Sequence, residues 1–243
     1  MHHQNTKKTI PTKYSVGIAC VRLHEGRPEI LLVQKRVSYA YSDFVQGRYV
    51  PGMKADITRM FNEMTLDEKL DILSLDFEQM WYRLWLGAPR HANFYIAKSK
   101  FESGWLMDEG ARLRRLVATS SNGDRLWEIP KGHKLSHHEQ DINCAVREFG
   151  EETGMRSKKY KLYPTFFRTY SYIDNGVNYH NKYYAAYTKY HIDLSVKTED
   201  MSQAGEISDI RWMNMDGVRY VDPTRRLEKF VAPFFKFIKK RVK

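Results

Sequence analysis

The spacing of apolar positions changes character twice along the 243 residues. Residues 14–23 (YSVGIACVRL) and 29–36 (EILLVQKR) are runs of branched apolar side chains parted by His24-Glu25-Gly26-Arg27-Pro28, the pattern of two strands joined by a turn. From about 41 to 118 the period becomes helical. Ile57, Met60, Phe61 and Met64, then Leu66, Leu70 and Leu73, then Phe77, Met80, Trp81, Leu84 and Trp85 recur at offsets of three and four. Thr65-x-x-Glu68 and Asp76 mark helix starts inside this stretch, and a further helix is expected over about 108–117. After the turn cluster 120–124 the strand texture returns at 126–129, and a helix is expected over about 137–152. Residues 165–173, 178–190 and 206–213 alternate as strands do, with Asp174-Asn175-Gly176 as a hairpin turn. An amphipathic basic helix over 223–243 closes the chain. The order expected is strands, a helical insert, then mixed α and β, with no internal repeat.

The chemistry concentrates in WEIPKGHKLSHHEQDINCAVREFGEETGM, residues 127–155. Ser136-x-x-Glu139 fits a capping box, which opens the helix at Ser136. Ile142, Ala145, Val146 and Phe149 then form one buried face, and Glu148, Glu151 and Glu152 a second face carrying three carboxylates. Like charges at this spacing cost about 0.2–0.5 kcal/mol per pair. They also lie at the helix end that disfavours anions, and Gly150 costs about 1 kcal/mol relative to alanine. Taken alone, the triplet fits either a solvated acidic face or the seat of a divalent cation; oxygen ligands suit Mg²⁺ or Mn²⁺.

Charge narrows the partners. Forty Lys and Arg against 29 Asp and Glu give +11, which favours polyanions: nucleic acid, nucleotides, inositol phosphates or an acidic membrane surface. Residues 45–118 carry 11 basic and 10 acidic side chains, so the excess sits mostly outside the helical stretch. With 42% apolar and 14% aromatic residues, disordered, collagen-like and low-complexity chains are excluded. Cys20 and Cys144 are too few for a disulfide framework or a multi-cysteine zinc site and point to a reducing compartment. The apolar runs 15–21 and 231–238 fall short of a membrane span, and no signal-peptide pattern is visible, so an intracellular soluble chain is expected. His2 and His3 are given no role.

Gly132, Glu139, Arg147, Glu148, Phe149, Glu151, Glu152, Gly154 and Met155 together resemble the Nudix box, G-x5-E-x7-R-E-U-x-E-E-x-G-U. One departure stands out: six residues, not five, separate Gly132 from Glu139, and the extra one falls in the loop before the helix. The resemblance implies a Nudix α/β/α sandwich with a mixed sheet, built from 1–40 and 119–243 and carrying a helical domain at 41–118. It also implies Mg²⁺ or Mn²⁺ held by Glu148, Glu151 and Glu152 with the Gly132 carbonyl, and Arg147 holding Glu139. Glu206 is chosen as the further carboxylate, ligand or general base, with an edge-strand surface role as its alternative. Lys131, in the W-x-x-P-K-G approach, is placed to meet a substrate phosphate, and Trp127 fits either the core or a cap-stacking position.

The run LVQKRVSYAYSDFVQGRY with ITRMFNEMTLDEKLDILSLDFEQMWYRLW, together with WEIPKG, GEIS and PFFKFIKK, resembles the mRNA-decapping Nudix enzymes of large cytoplasmic DNA viruses, the African swine fever virus type above all. The resemblance implies hydrolysis of the cap pyrophosphate of capped mRNA in the cytoplasm of an infected cell, releasing methylated guanosine diphosphate and 5′-monophosphate RNA. Two alternatives stand beside it: a hydrolase of diphosphoinositol polyphosphates or dinucleoside polyphosphates, and a non-catalytic RNA-binding module. Candidate RNA contacts are Lys7, Lys8 and Lys13, then Lys98, Lys100, Arg114 and Arg115, then Lys236, Lys239, Lys240, Arg241 and Lys243. The aromatics of 166–172 and 179–187 offer base-stacking rings or core.

Overall fold

The computed structural model describes residues 10–242 apart from 51, 88–91, 175 and 193. His2, His3, Lys7, Lys8, the hairpin residue Asn175 and Lys243 lie outside the described residues. The chain divides into two compact units, described separately. One comprises the described parts of Met1–Val33, Trp127–Val196 and Ile210–Lys243; the other comprises those of Gln34–Leu126 and Lys197–Asp209.

Strands β1 (Thr12–His24) and β2 (Arg27–Lys35) form an antiparallel hairpin, with His24 opposite Arg27. Its two turn residues, Glu25 and Gly26, have φ of 50° and 74°, the double left-handed bend that matches strand twist. The short β3 (Trp127–Glu128) and β4 (Lys131–Gly132) follow the helical segment. Next come α7 (Asp141–Thr153), a 3-10 turn at Ser157–Lys159, β5 (Lys161–Asp174), β6 (Val177–Thr188), β7 (Ile207–Met213), α9 (Met215–Val221) and α10 (Arg226–Arg241).

The sheet runs β3-β2-β1-β6-β5, with β4 on β1 and β7 on β2. It is mixed: β1 is parallel to β6 but antiparallel to β2 and β4, and β5 is antiparallel to β6. The register slips between Tyr163 and Phe167, where Pro164 supplies no amide proton to the ladder.

Alternation along β1 sends Ala19 and Val21 into a core with Tyr183, Ala185, Val231, Phe234 and Ile238, beneath α9 and α10. Ile18 and Cys20, fully buried, therefore face the opposite side, where α7 packs on β1, β4 and β6. Helices on both faces of a mixed sheet make the α/β/α sandwich expected from the sequence.

The other unit is helical: α1 (Tyr39–Val45), α2 (Lys54–Glu63), α3 (Leu66–Ser74), α4 (Phe77–Trp85), α5 (Phe94–Trp105), α6 (Ala111–Thr119) and the short α8 (Met201–Glu206). Both expected helix starts hold, and each is a capping box, Thr65 with Glu68 and Asp76 with Gln79. Its core is aromatic, Phe44 packing edge-on against Phe61 at 5.2 Å while Trp105 Nε1 donates to the Tyr49 hydroxyl at 2.9 Å. The unit is larger than the expected 41–118. Buried polar ties draw in its margins: Arg36 donates to the carbonyls of Gly205, Arg83 and Leu84, each at 2.8 Å, and Glu68 accepts from the Ser38 amide and hydroxyl. Unmatched carbonyls at the end of α4 thus find a guanidinium from residue 36.

Candidate active site

The carboxylate helix starts later than its sequence suggests. Gln140 is the N-cap, Ser136 caps nothing, and 134–140 form a turn. Glu139 is not the third helical residue; it stands before the helix, where its Oε2 accepts from the Leu135 amide at 2.7 Å. The extra residue between Gly132 and Glu139 is taken up in this turn. Asp141 then opens α7, bridged by Lys134 at 2.6 Å and Lys182 at 2.8 Å, which hold its carboxyl below the ordinary range; an anion there also complements the helix dipole. At the other end Gly154, φ 69°, terminates the helix in the left-handed conformation that glycine adopts without penalty.

Arg147 organises the site. Its Nε donates to Glu139 at 3.0 Å, Nη2 to Glu139 at 3.2 Å and to the His133 carbonyl at 2.9 Å, and Nη1 to Glu148 at 2.8 Å and Glu151 at 3.0 Å. The bond to Glu139, followed by that to Glu148, holds the guanidinium above its ordinary pKa despite burial, while the Glu139 carboxyl is held below its own. The sequence casts Arg147 as the partner of Glu139. The structure adds that the same guanidinium bridges two of the three helix carboxylates.

Glu152 is 2% exposed and accepts from the Lys131 amide at 2.9 Å, which fixes it at the mouth of β4. Gly132 is needed for closeness: a Cβ there would lie 2.0 Å from the Glu148 carboxyl carbon. Its carbonyl receives the Cys144 thiol at 3.8 Å, and that thiol, pushed up to about 11 by burial and by the nearby Glu139 and Glu148, stays protonated at neutral pH. The Lys131 ammonium donates to Glu128 at 2.6 Å, both side chains being 12% exposed. Sequence reasoning did not single out Glu128, although it lies three residues from Lys131 in the same strand-turn segment. It also overlooked His133, whose ring meets the Tyr14 carbonyl at 2.8 Å and the Ser15 hydroxyl at 3.3 Å.

A divalent cation fits this donor set. Arg147 Nη1 already occupies a point where carboxylate oxygens of Glu148 and Glu151 converge, so one positive centre is shared between them. Among the described residues no three His, Cys, Asp or Glu side chains stand together as a metal cage. All the donors are hard oxygens, as Mg²⁺ and Mn²⁺ prefer.

The other expected residues fall elsewhere. Glu206 belongs to the helical unit, where it ends α8 rather than opening a strand; its carboxylate is 65% exposed and 3.6 Å from Lys35. Lys98 pairs with Glu78 and, at 3.7 Å, with Glu102. Lys100 donates to the carbonyls of Gly47 and Tyr49, and Arg114 to that of Glu109. Each of these three cations, proposed from sequence as RNA contacts, has a partner within the helical unit. Arg115, Lys239 and Lys240 are exposed. Trp127 is half-buried against the α10 core, with Arg211 over its ring at 5.4 Å.

The family model of the NUDIX domain matches residues 105–236, more than half of the chain. The mRNA-decapping protein g5R of African swine fever virus, isolate Warthog/Namibia/Wart80/1980, is 36% identical over 239 residues, 93% of this chain and 96% of that one. The chain belongs to the Nudix hydrolase family. A relative from Acanthamoeba polyphaga mimivirus, whose name assigns mRNA decapping provisionally, is 33% identical over 88% of this chain and 67% of its own. Among solved structures, a C. elegans Ap4A hydrolase in a binary complex superposes with a TM-score of 0.49 at 14% identity, covering 93% of this chain and 97% of that one. Nudix hydrolases generally work with divalent metal ions, in keeping with the donor set of α7. No described helix of this Nudix chain is long and apolar enough to cross a membrane.

Proposed function

We propose that this Nudix hydrolase cleaves the pyrophosphate bridge of the 5′ cap of mRNA, releasing methylated guanosine diphosphate and 5′-monophosphate RNA. The observation that carries this reading is the complete Arg147–carboxylate cluster on a chain that aligns over 93% of its length with an mRNA-decapping protein. Capped RNA is a pyrophosphate with a long polyanionic tail, and a net charge of +11 suits it. The infected-cell cytoplasm, where such messages are translated, is the proposed place of action.

Glu148, Glu151 and Glu152, with the Gly132 carbonyl, would hold Mg²⁺ or Mn²⁺. Bound there, such an ion neutralises the pyrophosphate, activates a water and stabilises the departing phosphate. The protein's own part is orientation. The Lys131 amide aims Glu152; Glu139 and the His133 carbonyl fix Arg147 from behind; and Arg147 holds Glu148 and Glu151, the carboxylates that would ligate the ion, side by side. Lys131 exchanges Glu128 for a substrate phosphate, and Glu206 is the proposed additional carboxylate.

RNA labelled in its methylguanosine cap, incubated with Mg²⁺ or Mn²⁺, tests the reading. Release of labelled methylguanosine diphosphate by the wild type and not by Glu152→Gln is expected. Turnover confined to dinucleoside or diphosphoinositol polyphosphates, with capped RNA intact, would overturn it.

A further inference from the structure

One face of the sheet continues past the end of its covering helix. Pairing places Lys131, Gly17, Tyr183 and Arg168 in one row across β4, β1, β6 and β5. The next row on the same face is Ser15, Asn181 and Tyr170, and the one after is Lys13, Tyr179 and Tyr172. At the far end of this face α10 covers the sheet, Phe237 stacking on Phe166 at 3.9 Å and meeting Tyr163 at 5.3 Å. Its last aromatic contact is Phe230, against Tyr183 and Tyr170. Beyond it the rings stay open: Tyr170 is 40% and Tyr172 39% exposed.

These rings form one continuous cluster. Tyr172 and Tyr179 stack across the β5–β6 pair with centroids 5.1 Å apart and planes at 11°, and Tyr170 lies 5.7 Å from Tyr172. Lys13 stands over Tyr179 at 5.6 Å and Arg168 over Phe230 at 5.9 Å. Both cations are exposed, and among the described residues neither has a carboxylate within ion-pair distance. A cross-strand tyrosine pair stabilises a hairpin by itself. That role alone accounts neither for the two open rings, Tyr170 and Tyr172, nor for two unneutralised cations flanking the cluster.

We propose that this tyrosine surface is a track for single-stranded RNA, on which bases a few nucleotides downstream of the 5′ end stack. Stacking on an aromatic face tolerates any base, and flanking cations meet the phosphates. The rows place the Tyr172–Tyr179 pair four residues along the strands from Lys131, about 13 Å at the ordinary strand rise, and two to three strands across, about 10–14 Å, on the sheet face that Lys131 shares. An RNA whose 5′ pyrophosphate meets Lys131 therefore runs its following nucleotides over these rings. The polarity of the track rests on the decapping reading; the stacking does not.

The test is fluorescence anisotropy of the full chain with 5′-monophosphate oligouridine and with a duplex RNA of equal length. Replacing both Tyr172 and Tyr179 by alanine is expected to weaken single-strand binding roughly ten- to a hundredfold and to leave duplex binding within about twofold, since duplex bases are not available to stack. Replacing both by phenylalanine restores binding. Hydrolysis of a dinucleoside polyphosphate, which has no RNA tail, is expected to be unchanged in the alanine variant. Should the double variant lose its cooperative thermal transition, Tyr172→Ala alone and Arg168→Glu decide. Wild-type single-strand affinity in a folded alanine variant overturns the proposal, as does tyrosine-dependent binding to phosphatidylserine vesicles without binding to RNA. A protein that binds single strands through these tyrosines yet leaves caps intact would sink the decapping reading and keep this one.

Discussion

Helices α7 and α5 both carry charges that their sequence marks as functional, yet the two helices use them in opposite ways. On α7, Glu148 and Glu151 share one nitrogen of Arg147, so their charge is balanced by a partner that a metal can replace. On α5, Lys98 pairs with the side chains of Glu78 and Glu102, and it is Lys100 that makes the contrast: its ammonium is tied to the Gly47 and Tyr49 backbone carbonyls, which no substrate replaces without loosening the fold. A charge whose partner is another mobile side chain can serve chemistry. One that satisfies buried backbone belongs to the architecture.

The largest break in that comparison is expected at Glu152. Its glutamine variant keeps the volume and an acceptor for the Lys131 amide, so the thermal transition should shift little. On the proposed reading, in which Glu152 would hold a metal ion, turnover of capped RNA should fall by about 10³-fold, about 4 kcal/mol of barrier. Single-turnover assays beside thermal melts separate the two effects. A Glu152→Gln protein that unfolds early and turns over normally would place α7 in the architectural class with α5.

Arg147→Ala comes next and is expected to affect both. Loss of the group that orients the carboxylates should reduce kcat about 10- to 100-fold, the usual cost of removing a residue that supports metal ligands. It also removes the bond that depresses the Glu139 pKa. A carboxyl depressed on folding stabilises above its unfolded pKa of about 4.3 and loses that contribution as pH falls through the lower folded value. The wild type should therefore lose stability as pH drops below about 4.3, and Arg147→Ala or Glu139→Gln should flatten that part of the curve. Equally steep acid unfolding in all three proteins would show that the Glu139–Arg147 bond contributes nothing.

The contrast between the helices also explains what the sequence could reveal. The box residues were legible through the family resemblance, and the structure shows contacts behind that pattern: Gly132 lies against Glu148, and Arg147 reaches Glu139 across the turn. The helix starts at Thr65 and Asp76 were legible because a cap is a local feature. The start of α7 was misplaced because Ser136 and Glu139 match a capping pattern while Glu139 answers instead to Arg147, eight residues on. The partners of Lys98 and Lys100 lie 20 and 53 residues away, across a tertiary contact that no local pattern carries. The decapping substrate came into view only by resemblance; no spacing in the carboxylate cluster separates a cap from another pyrophosphate.

Lys100→Met gives a smaller effect of the opposite kind. It keeps most of the aliphatic stem and removes the ammonium, which stands over the Tyr49 ring at 4.6 Å and satisfies the Gly47 and Tyr49 carbonyls. A stability loss of about 1–3 kcal/mol in urea melts is expected, with RNA affinity and its salt dependence unchanged in the folded fraction. A Lys100→Met protein of wild-type stability with a reduced salt slope would return Lys100 to the RNA surface.

The smallest effect is expected where the comparison is sharpest, at the end of α10. Lys239 and Lys240 are exposed at the last turn, outside the buried row Val231, Phe234, Phe235 and Ile238 that anchors the helix. Their charges satisfy no buried carbonyl, so alanine should leave the thermal transition in place. If they grip RNA phosphates, each replacement lowers the slope of log affinity against log salt by about 0.7–1 and weakens binding equally for every sequence. Binding titrations at several salt concentrations read that slope directly. A double variant with an unchanged slope would mean that the basic excess outside the helical unit serves something other than the RNA tail. A slope reduced by about one per lysine would place the end of α10 among the surfaces whose charges are free for a partner, opposite in kind to α5.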